Sequence, residues 1–206
     1  MGTLPLQEAF AEGYSLLTAS RRARVDALVT AQSKLNSMAA GLLLRKFLQI
    51  TDDAQLNYSE NGKPFLPGGQ YFSISHSGNW CALAVSDIPV GADIEVPRGV
   101  SSALIRRCLT HEEQVWCADS TERFLQLWTR KESVMKACGK GLTMGLRSIS
   151  VLPDEDVTAD GRLWTLKTFQ AGECICSVAC ESKFDLILKQ LTVEDLLPNN
   201  ETEDSI

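Results

Sequence analysis

The segment Val90-Gly91-Ala92-Asp93-Ile94-Glu95-Val96 constrains this chain more than any other. Its two-residue period is that of a strand, with Ala92, Ile94 and Val96 on one face and Asp93 and Glu95 on the other. The two carboxylates then stand side by side, about 7 Å apart at their Cα atoms. Aspartate is disfavoured in strands and neighbouring anions repel, so the pair is either a solvated polar face or one that holds a cation; the cation explains it better.

Two more strands are expected before it. Phe72, Ile74 and His76 alternate with Ser73, Ser75 and Ser77, and Trp80 to Val85 follows the Gly78-Asn79 turn. Ser86-Asp87-Ile88-Pro89 then leads to Val90, which predicts a hairpin between Trp80–Val85 and Val90–Val96. Upstream, apolar residues at three- and four-residue steps predict helix over 20–50, as one piece or two. Downstream, helices are expected over 101–108, 111–118 and Thr121 to Cys138, the last ended by Gly139. Strands are expected at Ser148–Leu152, Arg162–Phe169 and Glu173–Cys180, with a frayed tail from Pro198.

The helix over 121–138 carries an oddity. Phe124, Leu127, Trp128, Val134, Met135 and Cys138 form an apolar stripe with Lys131 in its middle and Glu132 and Lys136 along one edge. Lys131 either snorkels out of the stripe or serves a purpose there. The stretch Ser73-Ile74-Ser75-His76-Ser77-Gly78 offers hydroxyls and an imidazole suited to a phosphate, with Lys63 as an added point charge. A Ser-His nucleophile is disfavoured, because Ser75 and His76 point to opposite faces of a strand and no Gly-x-Ser-x-Gly elbow is present.

Composition narrows the partners. In 206 residues, 44% hydrophobic, the formal net charge of −6 disfavours duplex DNA or an anionic membrane as ligand. The longest apolar stretches, such as Met38 to Leu44, are too short for a membrane span. Seven cysteines without a secretion signal predict reduced thiols and a cytoplasmic address, and Cys174 and Cys176 read as core of a buried strand rather than as zinc ligands.

Four ordered motifs, Gly62-Lys63-Pro64-Phe65, Phe72 to Gly78, Val90 to Glu95, and Trp128 to Lys136 followed by Gly139-Lys140-Gly141-Leu142, together closely resemble the 4′-phosphopantetheinyl transferase superfamily. The complete set in one chain resembles its monomeric two-lobed subgroup, so a monomer is expected. The resemblance implies an α/β (α+β) fold: a pseudo-dimer of two similar lobes, 1–98 and 99–206, each a small antiparallel sheet packed with helices, with coenzyme A in the cleft.

Carried over position by position, Asp93, Glu95 and Glu132 would hold Mg2+, while Lys63, Ser75, His76, Lys131 and Lys136 would grip or neutralise phosphates of coenzyme A. Arg21 and Arg24 correspond to a first pair of basic residues for its 3′-phosphate, and Asn36 stands where a later arginine is usual. Glu113 matches a further acidic position. The implied reaction is attack by a serine of an apo acyl or peptidyl carrier protein on the phosphorus bearing pantetheine, with release of 3′,5′-ADP. Glu132 is the candidate base, Lys136 the candidate acid, and His76 is counted with the catalytic set. A non-catalytic binder of coenzyme A and carrier is the alternative. Lys136, Lys140 and Arg147 mark a candidate carrier-binding patch around Met135 to Met144.

Overall fold

The computed structural model describes residues 6–153 and 156–198, with no side chains described for 6–8 and 142. The chain is a mixed α/β protein with small antiparallel sheets packed by helices, and it divides into two compact units, one built from residues up to Leu56 together with those from Leu186, the other Asn57–Asp185.

The first unit is helical: α1 (Leu6–Ser15), α2 (Ala19–Ala27) and α3 (Ala31–Leu48). The periodic stretch over 20–50 is therefore two helices. Thr30 Oγ1 accepts the Ser33 amide proton and starts α3 as an N-cap. Ala9, Leu17, Val25, Met38 and Leu42 form the core of this unit, and Leu197, after a short 3₁₀ turn at Glu194–Leu196, completes it.

The described residues of the second unit hold eight strands and three α-helices. The strands β1 (Asn57–Tyr58) and β2 (Pro64–Phe65) form a short hairpin. β3 (Tyr71–Ser77) and β4 (Trp80–Ser86) form a second one, closed by the two-residue loop Gly78-Asn79 with Gly78 at φ +53. β5 (Val90–Glu95) does not pair with β4, contrary to the expected hairpin; it pairs with β8 (Cys174–Cys180) in a four-stranded antiparallel sheet of order β5-β8-β7-β6, where β6 is Val157–Ala159 and β7 is Arg162–Ala171. β4 pairs with β3 on one edge only, and Pro89 holds Ile88 in extended backbone, so the chain runs on to β8 instead of folding back on β4.

The three helices of this unit are α4 (Ser102–Cys108), α5 (His111–Cys117) and α6 (Thr121–Cys138), at the expected positions. Ser101, Thr110 and Ser120 cap them, and Gly139 in the left-handed conformation ends α6. α6 lies on the face of the sheet that presents Gly91, Asp93 and Glu95. Gly91 has to be glycine: a methyl there would stand 1.9 Å from the Ser133 carbonyl oxygen and 2.4 Å from the Ala137 amide nitrogen. Thr129 of α6 also shares a hydrogen bond of 2.8 Å with Ser177 on β8. Phe124, Leu125, Leu127, Val134, Val151 and Trp164 fill the core below.

Ser148–Leu152 is not a strand. It begins in a bend and is tied to side chains rather than to a ladder: Lys131 Nζ donates to Ile149 O, Arg130 Nε to Val151 O, and Val151 N to Glu113 Oε1. None of the seven cysteines is in a disulfide, and Cys174 and Cys176 pack with Ile94 in a small apolar cluster. Among the described residues no helix is long and apolar enough to cross a membrane.

Candidate functional site

α6 and β5 meet along one seam. Trp128, Glu132 and Lys136 recur every four residues on α6 and so form one stripe. Lys136 Nζ donates to Asp93 Oδ1 at 2.7 Å and to Ser75 Oγ at 2.8 Å, while Ser75 Oγ donates to Asp93 Oδ1 at 2.6 Å. At the other end Trp128 Nε1 donates to Glu95 Oε1 at 3.0 Å. Glu132 lies between these two anchors.

The carboxylates act on one another. Burial pushes Glu132 above the usual carboxylate range, and the negative charges of Asp93 and Glu95 push it further, against the pull of Lys136. Burial likewise raises Asp93, with Lys136 and Ser75 opposing it. Asp93 is 6% exposed and its Oδ2 is buried without a hydrogen-bond partner. A buried carboxylate oxygen without a donor is costly, and a cation is the natural way to satisfy it. The all-oxygen donor set suits a hard ion such as Mg2+. Among the described residues, however, no three such side chains converge closely enough to hold a metal as they stand.

The serines of β3 do unexpected work. Ser73, Ser75 and Ser77 all face β5: Ser73 Oγ accepts from Ala92 N, Ser77 Oγ accepts from Val96 N, and Ser77 Oγ donates to Glu95 Oε2 at 2.7 Å. Hydroxyls thus bind the open edge of β5 where a strand would otherwise pair. Alternation along β3 announces their shared face, but nothing local says that β5 lies opposite. His76 points to the other face of β3 and is exposed, away from the carboxylates.

Two lysines have partners that the sequence did not reveal. Lys131 is 0% exposed; its ammonium pairs with Glu113 Oε2 at 2.8 Å and donates to Ile149 O at 2.6 Å, so it is a core cation and not a phosphate grip. Glu113 is itself fully buried and also accepts from Thr110 N. The stripe put Lys131 on the apolar face of α6, but neither its burial nor its partner, 18 residues away, was legible. Lys63 Nζ donates to Val90 O at 3.2 Å and Ala137 O at 3.5 Å, tying the start of β5 to the last turn of α6, and burial lowers its pKa.

The candidate carrier patch is also thinner than expected. Met135 is fully buried, Lys136 turns to Asp93, and Lys140 pairs with Asp160. Arg21 and Arg24 sit on α2 of the helical unit, where Arg21 packs across Gly41, and Asn36 is nearly buried, accepting from Gln32 Nε2 at 3.0 Å.

Comparison with known proteins places this sequence among relatives. The family model described as the 4′-phosphopantetheinyl transferase superfamily matches residues 89–179. The chain is 28% identical to 4′-phosphopantetheinyl transferase gsp of Aneurinibacillus migulanus, over 82% of this chain and 78% of that protein. It is 30% identical to 4′-phosphopantetheinyl transferase ffp of Bacillus subtilis over 69% of each chain. Against 4′-phosphopantetheinyl transferase Sfp of Bacillus subtilis, strain 168, it is 32% identical and spans 56% of that protein's length.

Proposed function

Because this chain belongs to the 4′-phosphopantetheinyl transferase superfamily, we propose that it transfers the phosphopantetheine arm of coenzyme A to a serine hydroxyl of an apo acyl or peptidyl carrier protein. The phosphorus–oxygen bond to the leaving 3′,5′-ADP breaks as the bond to the serine oxygen forms.

The observation that carries this reading is the seam of Asp93, Glu95 and Glu132 with Lys136 among them. Asp93, Glu95 and Glu132 are the proposed holders of Mg2+, supported by the partnerless Oδ2 of Asp93. A divalent ion bound there neutralises charge on the pyrophosphate of coenzyme A. Glu132, raised by burial and by its neighbours, is the proposed base for the carrier serine, since a carboxylate tuned upward is the better proton acceptor. Lys136 already offers its ammonium to an anion and is the proposed donor to the leaving phosphate oxygen.

Ser75, which shares Lys136 and Asp93, orders that ammonium and stands ready to meet a phosphate oxygen beside it. His76, Lys63 and the pair Arg21 and Arg24 complete the proposed contacts to coenzyme A. The two-lobed arrangement divided near residue 98 belongs to the same reading.

Intact mass of apo carrier proteins after incubation with this protein, coenzyme A and Mg2+ tests it, with Glu132→Gln as control. A gain of one phosphopantetheine that the control loses is expected. No gain on any carrier while coenzyme A still binds would overturn the enzyme reading in favour of a non-catalytic binder.

A further inference from the structure

Glu95 is held by three donors at once. Its Oε2 accepts from Ser77 Oγ of β3 at 2.7 Å, and its Oε1 accepts from Trp128 Nε1 of α6 at 3.0 Å and from Arg98 at 3.5 Å. The Ser77 hydroxyl has little freedom in this: its oxygen already accepts the Val96 amide proton at 3.2 Å, so its single proton is directed to Glu95. Trp128 is one helical turn before Glu132, so the indole that grips Glu95 rides on the same stripe as the proposed base. Asp93 differs, because Lys136 and Ser75 both act on Oδ1 and leave Oδ2 open. Of the two strand carboxylates, Glu95 is the one gripped on both oxygens.

We propose that Ser77 and Trp128 are positioning residues which fix Glu95 in a single orientation and hold its distance from Glu132 before a divalent cation arrives. This rests on the functional reading above. A carboxylate oxygen has two lone pairs, so Oε2, with Ser77 as its one donor, keeps a site for a metal, and Oε1 regains one if the 3.5 Å contact with Arg98 is released. Donors of this kind set the orientation of metal-binding side chains, and their loss commonly weakens metal binding about 10- to 100-fold. Trp128 also stacks near Phe124 at 6.0 Å between ring centroids, so a phenylalanine in its place keeps the packing and removes only the N–H donor.

The test is Mn2+ binding followed by electron paramagnetic resonance with coenzyme A present, on wild type, Ser77→Ala, Ser77→Thr and Trp128→Phe. Ser77→Ala and Trp128→Phe are expected to raise the Kd for Mn2+ about tenfold or more, and Ser77→Thr, which keeps the hydroxyl, to stay within about threefold of wild type. In carrier labelling, the two deficient variants are expected to raise the KM for Mg2+ more than they lower kcat. A merely structural defect would lower the number of Mn2+ sites per protein and leave the Kd of the remainder unchanged, and that result overturns the proposal. Wild-type affinity in both deficient variants, with wild-type transfer intact, overturns the proposal alone. Wild type that neither binds Mn2+ nor labels any carrier overturns the functional reading with it.

Discussion

A methyl group at position 91 is the sharpest perturbation the fold offers. Gly91→Ala places a Cβ 1.9 Å from Ser133 O, 2.4 Å from Ala137 N and 2.9 Å from Ala137 Cβ. The first two are backbone atoms of α6, so no rotamer can yield, and the strand and helix must separate by about 1 Å or more to restore ordinary contact. Overpacking of this kind costs about 1–3 kcal/mol, and a backbone clash belongs at the upper end. In a chain of this size that lowers Tm by roughly 6–12 °C. The same separation moves Glu132 and Lys136 away from Asp93 and Glu95, and a misplacement of about 1 Å costs about 100-fold in rate. Thermal unfolding by circular dichroism and carrier labelling by intact mass, the latter well below the variant's Tm, read the two effects separately. Gly99→Ala is the control, because nothing stands within 4 Å of its added Cβ. A Gly91→Ala protein with unchanged Tm and kcat/KM within about threefold of wild type would refute the close strand–helix seam as the basis of the site.

Lys131→Met strands the Glu113 carboxylate in the core and is expected to destabilise by about 3–5 kcal/mol, whereas Lys131→Met with Glu113→Gln recovers much of the loss in urea unfolding. Asp93 and Glu132 carry raised pKa values, so the folded protein binds more protons than the unfolded chain between the ordinary carboxylate range and those raised values. Metal-free stability therefore falls as pH rises through that window, and Glu132→Gln is expected to make the dependence shallower while abolishing transfer; a Tm–pH profile identical to wild type would contradict it. Burial pushes the Cys174 thiol up to about 11 and Cys176 up to about 12. Neither is expected to react with a disulfide reagent at pH 8 until denaturant is added, which peptide mapping of the modified protein would read out.

What the sequence declared and what it withheld divide by distance along the chain. The bounds of α6 were legible because Ser120 and Gly139 cap a stripe with a helical period, and the shared face of Asp93 and Glu95 because strand alternation is local. The partner of β5 was not legible: β8 is buried on both faces and shows no alternation, and its pairing with β5 is set some 80 residues away by the packing of α6 over both. Ser148–Leu152 has a strand's composition, yet Lys131, Arg130 and Glu113 claim its backbone groups before a ladder can. Lys63 follows a Gly-rich turn and reads as free charge; that its ammonium also reaches carbonyls on β5 and α6 was not legible, because those acceptors lie far along the chain.

The return of Leu197 to the helical unit carries a consequence for how the molecule is made. Asn57–Asp185 is one continuous stretch and has all of its own core as soon as it is synthesised, but the cluster of Ala9, Leu17, Val25, Met38 and Leu42 waits for Val193 to Leu197. Domains that are contiguous fold as they emerge, whereas a contact spanning more than 150 residues must bear a long loop closure. The helices made first are thus the ones to mature last. During that interval their apolar faces lack cover, and removal of residues 193–198 would leave the strands and their carboxylates folded while the helices lacked Leu197 in their core.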